Sequence, residues 1–422
     1  MEKSLKFSRT VSSKLQYKIN MSIIFNYLRE NGPISRAKIS RDLNISAPAV
    51  SRVIDKLIKD SYVLETEKQK TKGGKRPILL KINENKGFVI GIDLGRKKIR
   101  AALTNFSGKM TKKYWGFEVV DKKDIGERLN SEISKILSMN KKSGLKSIEP
   151  ELKAICIGVP AVIDVDSGKI ISAPLYGSWR DLNLKEIISN KFNIPVFIDN
   201  NVNLAALTEK NYGEGKNFSD MVFVEISNGI GAGIIIDSHL LIGSYGSAGE
   251  IGFTIINSEN LGFKIKNKGF LEKFASVKSI QKKAIESIDK GRKTLIMDMV
   301  ENDISKIEPS IVCKAAINGD RLANDIIEGM VRFLSIVIIN LVLILNPQII
   351  ILGGDICSLP EVDKLFVKPI ISLVEESVPF KIPYIKLSSL GEDAGVIGAS
   401  FMAMEALLVG EFPYKIEQEV LT

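Results

Sequence analysis

Histidine and cysteine are scarce in this sequence: its 422 residues include one histidine, His239, and three cysteines. A metal site built on histidines is excluded, because one imidazole supplies only one of the ligands that such a site needs. Cys156, Cys313 and Cys357 are far apart in apolar segments, so we expect reduced core thiols rather than disulfides. His239 lies between two apolar runs and is predicted to occupy an exposed turn.

Long hydrophobic runs are also missing. The longest, residues 333–345, is interrupted by Ser335 and Asn340 and is predicted to be a buried helix, too short to span a bilayer. Residues 1–20 carry scattered lysine and arginine without the apolar core of a signal peptide. The sequence therefore predicts a cytoplasmic protein that does not contact membranes, long enough for two or three domains.

Positive charge is confined to one end of the chain. Residues 1–86 hold 19 lysines and arginines against 8 aspartates and glutamates, whereas the remaining 336 residues hold 40 against 41. This asymmetry indicates a small module that meets a polyanion, joined to a nearly neutral body. A basic disordered tail is the alternative, and the apolar periodicity of the segment argues against it.

That periodicity predicts three helices. The first is expected to bury a stripe with a spacing of four residues and to end at Asn31-Gly32-Pro33. Its stripe consists of Leu15, Ile19, Ile23 and Tyr27, with Ile24 and Leu28 beside them. The second helix runs from an N-cap at Ser35 to Leu43, and the third from an N-cap at Ser46 to about Lys59.

Two short helices joined by a tight turn form a helix-turn-helix, whose second helix enters the major groove of DNA. The third helix leaves small and basic side chains facing outward at its N-terminal end. We expect DNA contacts from Ser46, Ala47, Pro48, Ser51, Arg52 and Lys56.

Two strand-like runs, 62–66 and 78–82, flank a basic loop, as in the wing of a winged helix. Its Gly-Gly pair permits close approach to a surface, and its basic residues suit phosphates or a minor groove. The residues predicted to contact DNA are Lys72, Gly73, Gly74, Lys75 and Arg76. A solvated basic loop is the open alternative for this tip.

From Phe88 onward, strands and helices alternate with glycine-rich turns, which indicates an α/β architecture with mixed sheets. Seven motifs at these turns occur in the order and spacing of one family. They are Gly91-Ile92-Asp93-Leu94-Gly95, Gly158-Val159-Pro160-Ala161 with Asp164, Asp199-Asn200-Asn201-Val202-Asn203, Gly229-Ile230-Gly231-Ala232-Gly233, Ala248-Gly249-Glu250-Ile251-Gly252, Gly269-Phe270-Leu271-Glu272, and Asn346-Pro347 through Gly354. In these motifs the body resembles the ROK family, which joins sugar kinases to sugar-responsive repressors. The N-terminal module resembles the winged helix of its regulator branch.

The resemblance implies an α/β fold in which an N-terminal winged helix-turn-helix precedes a two-lobed actin-like domain of the ribonuclease-H-like type. The expected boundaries are 1–84 for the winged helix, 85–200 for the first lobe and 201–392 for the second. A C-terminal helix at about 393–422 is expected to return to the first lobe. A palindromic operator would be read by two winged helices of a homodimer or higher homo-oligomer.

The resemblance also implies where kinase chemistry would lie, and the sequence departs from it at three points. The family's general base is the aspartate of an Asn-Asp pair, and here that position is Asn201, whose amide lacks useful basicity. In the first phosphate loop, Arg96 and Lys97 replace Gly-Thr. These two residues either form a solvated turn or contact an anion, and both interpretations stay open. In the second, Ser227-Asn228 replaces Gly-Thr. We therefore expect no catalysis.

The family's structural zinc is expected to be absent as well. The four positions that match its histidine and three cysteines are Phe253, Phe263, Ile265 and Phe270. Zinc needs nitrogen or sulfur donors, so no cofactor is predicted, and a hydrophobic cluster is expected to hold the loop instead. A disordered loop is the alternative.

Sugar-binding groups of the family are partly kept. The resemblance implies that a sugar lies among Asn200, Asn201, Glu250, Phe253 and Glu272. Pairing of the two glutamates with Lys266 or Lys268 is the open alternative. Leu175 stands where the family often has an asparagine near the ligand, so the class of ligand is better defined than its identity.

The sequence thus predicts a sugar-responsive, DNA-binding transcriptional regulator, expected to be a repressor of carbohydrate-utilisation genes, with a silent kinase-like effector domain. Its partners would be double-stranded operator DNA, a carbohydrate and further copies of itself. Two alternatives are open: an active ROK sugar kinase with a DNA-binding appendage, and a regulator whose body only dimerises or binds protein. Asn201 argues against the first, and Glu250 and Glu272 against the second.

Overall fold

The computed structural model describes residues 12–66, 77–95, 98–118, 124–141, 151–164, 166–173, 176–261 and 269–415. The N-terminal module is a bundle of three helices closed by a small sheet, in which β3 lies between β1 and β2 and is antiparallel to both. Ser35 caps α2 through its side chain, which accepts from the Lys38 N–H. The elements are α1 (Ser13–Asn31), β1 (Ile34–Ser35), α2 (Arg36–Leu43), α3 (Ala47–Lys59), β2 (Val63–Glu65) and β3 (Leu79–Ile82).

The first helix buries a stripe that only partly matches the predicted one. Ile24 and Leu28 are buried as predicted, whereas Leu15, Ile19 and Tyr27 are half-buried. The buried apolar side chains of α1 are Met21, Ile24, Phe25 and Leu28. Ile23, which was predicted to be buried, is 43% exposed. Positions spaced strictly by four drift around a helix by about 40° per step, whereas the buried set follows the period of 3.6 residues.

The first lobe is built on a five-stranded sheet with the order β10-β7-β4-β5-β6. The two β4 neighbours differ, since β7 is parallel and β5 antiparallel to it. The elements are β4 (Phe88–Leu94), β5 (Lys98–Asn105), β6 (Met110–Glu118), α4 (Ile125–Lys141), β7 (Leu152–Val159), β8 (Val162–Asp164), β9 (Lys169–Ser172), α5 (Leu184–Phe192) and β10 (Val196–Asn200).

The second lobe repeats the plan with a sheet of order β13-β12-β11-β14-β15, covered by helices. His239, predicted to lie in an exposed turn, instead pairs with Ile236 in β13 and is half-buried. The elements are α6 (Asn201–Tyr212), β11 (Met221–Ile226), β12 (Ile230–Ile236), β13 (His239–Leu240), α7 (Phe270–Ala275), α8 (Val277–Asp289), α9 (Leu295–Met299), α10 (Pro309–Ile317), α11 (Arg321–Leu345), β14 (Ile349–Gly353), α12 (Lys368–Ser377) and β15 (Tyr384–Leu387).

The apolar run at 333–345 forms the second half of α11, which has 25 residues. Among the described residues this helix alone is long and apolar enough to cross a membrane, and 56% of its most apolar window is buried inside the protein. Its buried side chains belong to the core of the second lobe. It is a core helix, as the sequence predicted, although the helix itself is longer than the apolar run.

The last helix, α13 (Ala394–Val409), is shorter than the predicted 393–422. Gly410 ends it because its φ of 91° is left-handed, a conformation that favours glycine. The helix packs on β4 and crosses α6 closely at Gly398, where an added Cβ would lie 2.2 Å from the Thr208 hydroxyl oxygen. Predicted residues 416–422 lie outside the described ones.

The winged module packs directly on the body through α1 and α13. The Ser22 hydroxyl donates to the buried Glu405 carboxylate at 2.8 Å, and Lys18 pairs with Glu411. Burial raises the pKa of Glu405. Beside them, the Arg29 guanidinium contacts two aromatic rings of the body, those of Tyr212 and Phe401. A single hydrophobic cluster continues from the core of the module into the body.

Candidate functional site

The predicted sugar residues come together in one cavity between the lobes. Asn200 and Asn201 lie at the junction of β10 and α6, where the carboxyl end of a parallel strand meets a helix N-terminus. Glu250, Phe253 and Glu272 face them from the second lobe. The cavity measures about 40 Å³, which is room for about three water molecules and less than a sugar needs.

Asn200 has a structural task besides lining the cavity. Its side-chain oxygen caps α6 by accepting from the N–H groups of Val202 and Asn203, at 2.9 and 3.3 Å. Its amide nitrogen donates to the Ala161 carbonyl at 3.1 Å. Both ends of the side chain are therefore held by backbone groups, which fixes α6 to the wall of the cavity.

Glu272 is likewise tied to backbone and is only 2% exposed. One carboxylate oxygen accepts from the Ile230 N–H at 3.1 Å and the other from the Gly269 N–H at 3.3 Å. These bonds join α7 to the glycine-rich turn before β12. The role of Glu272 as a sugar ligand stays a prediction, as do those of the other cavity residues.

Glu225, on β11, also lines the cavity and was not predicted. Its Oε2 lies 3.5 Å from the amide nitrogen of Asn201. A signal was present in the sequence, because a carboxylate stands alone in the apolar strand Met221–Ile226. Carboxylates are rarely buried among apolar side chains without a partner or a function.

A second, smaller space of about 20 Å³ lies between the lobes, lined by Asp93, Arg100 and Ser227 among others. Arg100 on β5 faces Asp93 of its own lobe at 3.5 Å and Asp355 of the other lobe at 3.6 Å. Burial raises the pKa of Asp93 to about 6, although Arg100 opposes the shift. Ser227 accepts from the Asp355 N–H at 2.9 Å, so it holds the loop after β14.

Two of the four residues that stand at the family's zinc-ligand positions lie among the described residues. Phe270 is buried at the start of α7, and Phe253 is half-buried and lines the cavity. Phe263 and Ile265 lie outside the described residues, as do Arg96, Lys97, Leu175, Lys266 and Lys268. In the part of the chain that the structure describes, no three His, Cys, Asp or Glu side chains form a group that could hold a metal.

The third helix of the winged module presents the predicted DNA-binding residues on its outer side. Ser46, Ala47, Pro48, Arg52 and Lys56 are exposed, and Ser51 is half-buried. The Ser46 side chain makes no capping hydrogen bond, contrary to its predicted N-cap contact. The Arg52 guanidinium lies 4.7 Å from the ring centre of Tyr17 on α1. The wing residues Lys72, Gly73, Gly74, Lys75 and Arg76 lie outside the described residues.

The chain combines a winged helix, whose recognition helix is exposed and basic, with a two-lobed body that contains a polar cavity. This combination defines a DNA-binding regulator of the sugar-kinase-like class. Two family models match the chain accordingly: the ROK family over residues 89–406, and a winged helix-turn-helix DNA-binding domain over residues 22–63. The chain belongs to the ROK family, as the motifs predicted, and it is a sugar-responsive, DNA-binding regulator of that family.

Relatives of known role match the chain over almost its whole length. The xylose repressor of Caldicellulosiruptor bescii is 33% identical over 392 residues, covering 92% of this chain and 96% of the relative. The DNA-binding transcriptional dual regulator NagC of Escherichia coli K12 is 27% identical over 398 residues, covering 93% and 94%.

Solved structures confirm the predicted fold class. A ROK family transcriptional regulator, described as a homolog of the E. coli MLC protein, superposes with a TM-score of 0.78 at 24% identity, covering 96% of this chain and 99% of the other. A ROK family glucokinase from Streptomyces griseus, in complex with glucose and AMPPNP, superposes with a TM-score of 0.64 at 22% identity, covering 75% and 99%.

Proposed function

We propose that this protein is a cytoplasmic repressor of carbohydrate-utilisation genes whose DNA affinity is set by a sugar bound between the lobes of its body. The observation that carries the proposal is one polar cavity at the start of α6, in a chain that also presents a DNA-recognition helix. D-Xylose is the first sugar to test, because the relative from C. bescii is a xylose repressor.

The proposal includes the loss of phosphotransfer. Asn201 stands at the position of the family's base, and an amide cannot take a proton from an attacking hydroxyl. Arg100 and its two carboxylate partners occupy the space that phosphates would need. The alternative, an active ROK sugar kinase, fits these two features less well.

We further propose that the chain binds no structural zinc. Phe253 and Phe270, at two of the family's ligand positions, offer no nitrogen, sulfur or oxygen donor. The Glu272 hydrogen bonds to backbone at Ile230 and Gly269 provide a different attachment for the start of α7.

A sugar can act on DNA binding by changing the angle between the lobes. The described cavity is smaller than a sugar, so binding requires the walls to move apart. A ligand that binds one lobe arrangement better than another shifts the population toward it. Two winged helices whose separation has changed no longer match half-sites that the DNA pitch fixes in place.

This mechanism needs two copies, and α11 offers an apolar surface for a second copy of the chain. Ile336, Leu343 and Ile344 on this helix are 39%, 51% and 76% exposed. A row of exposed apolar side chains on one helix is typical of a protein interface. A self-complementary contact of this kind gives a twofold dimer, which suits a palindromic operator.

The test combines two measurements. An operator duplex is first selected from a random DNA pool with the purified protein, and its affinity is measured with and without D-xylose, D-glucose and N-acetyl-D-glucosamine. A thermal-shift series with the same sugars reports binding independently, because a ligand of the native state raises its apparent stability. Glu250→Gln should weaken the sugar response and leave operator affinity without sugar nearly unchanged. A protein that selects no DNA sequence, or that responds to no carbohydrate, contradicts the proposal.

A further inference from the structure

We propose that Tyr17 is a positioning residue for DNA recognition: its ring holds the Arg52 guanidinium in the place from which Arg52 reads one base pair of the operator. Tyr17 lies near the start of α1, before residues 22–63 that match the helix-turn-helix model, whereas Arg52 belongs to the recognition helix α3. The guanidinium carbon lies over the Tyr17 ring, 4.7 Å from its centre. The inference rests on the predicted base contact of Arg52.

The contact leaves Arg52 able to bind a base. A guanidinium carries five N–H donors, and a contact with the face of a ring uses none of them in a hydrogen bond. Arg36 is different, because Asp55 and Glu65 hold its two terminal nitrogens at 2.7 and 3.4 Å. In the described part of the chain, no carboxylate forms an ion pair with Arg52, so the aromatic ring is what holds it.

The position of Tyr17 is itself fixed by its surroundings. The Ser12 hydroxyl oxygen accepts from the Leu15 N–H at 3.1 Å, which caps the first turn of α1. The Tyr17 ring packs against the apolar cluster that fills the module. The next residue, Lys18, pairs with Glu411 of the body. The ring over which Arg52 lies is therefore attached to the core of the module and, through α1, to the body.

A fixed ring favours base reading because arginine is a flexible side chain. An arginine that reaches a base from an unrestrained state loses the freedom of its side-chain torsions on binding, and one already held in place loses less. Arginine reads guanine through two hydrogen bonds, to O6 and N7, so its orientation decides whether both form. A cation–π contact at an exposed site corresponds to a factor of about two to five in an equilibrium constant.

The experiment uses the full-length protein and the operator selected from random DNA. Each base pair of the operator is replaced in turn, and fluorescence anisotropy gives the factor by which that replacement weakens binding. Arg52→Ala identifies the base pair that Arg52 reads, as the one whose replacement no longer changes the affinity. For Tyr17→Leu, we expect the factor at this base pair to fall about two- to fivefold, and the factors at the other base pairs to stay unchanged.

Further variants separate positioning from a merely structural role. Tyr17→Phe keeps the ring and should keep the discrimination of the natural protein. Tyr17→Leu in an Arg52→Ala background should change discrimination no further, because both substitutions remove one contact. Tyr17→Met also lacks a ring and replaces Tyr17→Leu if that variant folds poorly. Tyr245→Leu makes the same change at a tyrosine of the body that is 86% exposed, and as the matched control it should change nothing.

The outcomes separate this inference from the predicted base contact. If Tyr17→Leu keeps full discrimination, or loses it at all base pairs alike, Tyr17 does not position Arg52. If Tyr17→Phe weakens binding as much as Tyr17→Leu, on operator and random DNA alike, the Tyr17 hydroxyl contacts DNA itself and the inference is overturned. If Arg52→Ala keeps discrimination at every base pair, the predicted base contact fails, and this inference with it.

Discussion

Replacing Arg29 by methionine should disconnect sugar binding from DNA binding. Arg29 lies near the end of α1, and its side chain is only 5% exposed. Its guanidinium carbon lies 4.3 Å from the ring centre of Phe401 on α13 and 5.1 Å from that of Tyr212 on α6. The same group donates a hydrogen bond to the Tyr212 hydroxyl. The winged module is thereby attached to the far end of α6, whose first residues line the sugar cavity.

The magnitude follows from these contacts. Two cation–π contacts in a partly desolvated setting contribute about 1 kcal/mol each, and a hydrogen bond from a charged donor contributes about 1.5 kcal/mol. Losing about 3.5 kcal/mol at the junction exceeds a typical coupling free energy between two sites, about 1–3 kcal/mol. Methionine keeps the length and apolar character of the arginine stem, so the packing of the junction changes little.

The assay measures operator affinity by fluorescence anisotropy with and without a saturating sugar, and sugar affinity by calorimetry. For Arg29→Met, we expect the effect of the sugar on operator affinity to fall to about twofold or less. Sugar binding in the absence of DNA should persist. Lys14→Met removes the same charge from an exposed position of α1 and serves as the control for the loss of electrostatic attraction to DNA.

Two results would refute this reasoning. If Arg29→Met keeps the full sugar response, the junction does not transmit it. If the variant loses sugar affinity as well, Arg29 supports the fold of the cavity rather than its connection to the winged module.

Three further predictions concern DNA, chemistry and pH. Arg52→Ala should weaken the free energy of binding to the selected operator by about 1–3 kcal/mol and that to random DNA by less, whereas Lys75→Ala should weaken binding to both DNAs alike. If Arg52→Ala weakens binding to both DNAs equally, Arg52 does not read a base. With ATP, magnesium and the sugar panel, no phosphorylated sugar should form above background, and metal analysis of the protein should find no stoichiometric zinc. Burial raises the pKa of Asp199 to about 6, so its contribution to stability is present below about pH 4 and lost as pH rises through 6. Asp199→Asn should therefore reduce the fall in unfolding free energy between pH 5 and pH 8 by about 1.4 kcal/mol, measured by urea titration.

The elements with strong local signals were predictable from sequence. Ser35 caps α2, and the first strand of the body, β4, begins at Phe88, where the alternation of strands and helices was expected to start. Capping and buried strands depend on a few neighbouring residues, which is why local sequence reveals them. The strand β1, with only two residues, has no periodicity to detect. In α1, Ile24 and Leu28 were placed correctly in the buried stripe, whereas Ile23 was not, because a spacing of four residues departs from the helical period of 3.6.

The candidate site shows the same division. Asn200, Glu250 and Glu272 were found through motifs that lie at turns, where family patterns are most distinctive. Glu225 and Arg100 were missed because each lies within a strand, and the partners that give them a role come from distant segments. A charged residue inside an apolar strand was the available signal, and it indicates a partner without saying which one.

Arg100 explains why a body of kinase architecture suits a regulator. In a kinase, closure of the lobes depends on the nucleotide as well as on the sugar, because phosphates bind between the lobes. Here an ion pair of the protein itself, between Arg100 on β5 and Asp355 after β14, spans that gap. On the proposed function, in which no nucleotide takes part, we expect the position of the lobes to depend on the sugar alone. Operator affinity should then respond to the concentration of the sugar and not to that of ATP.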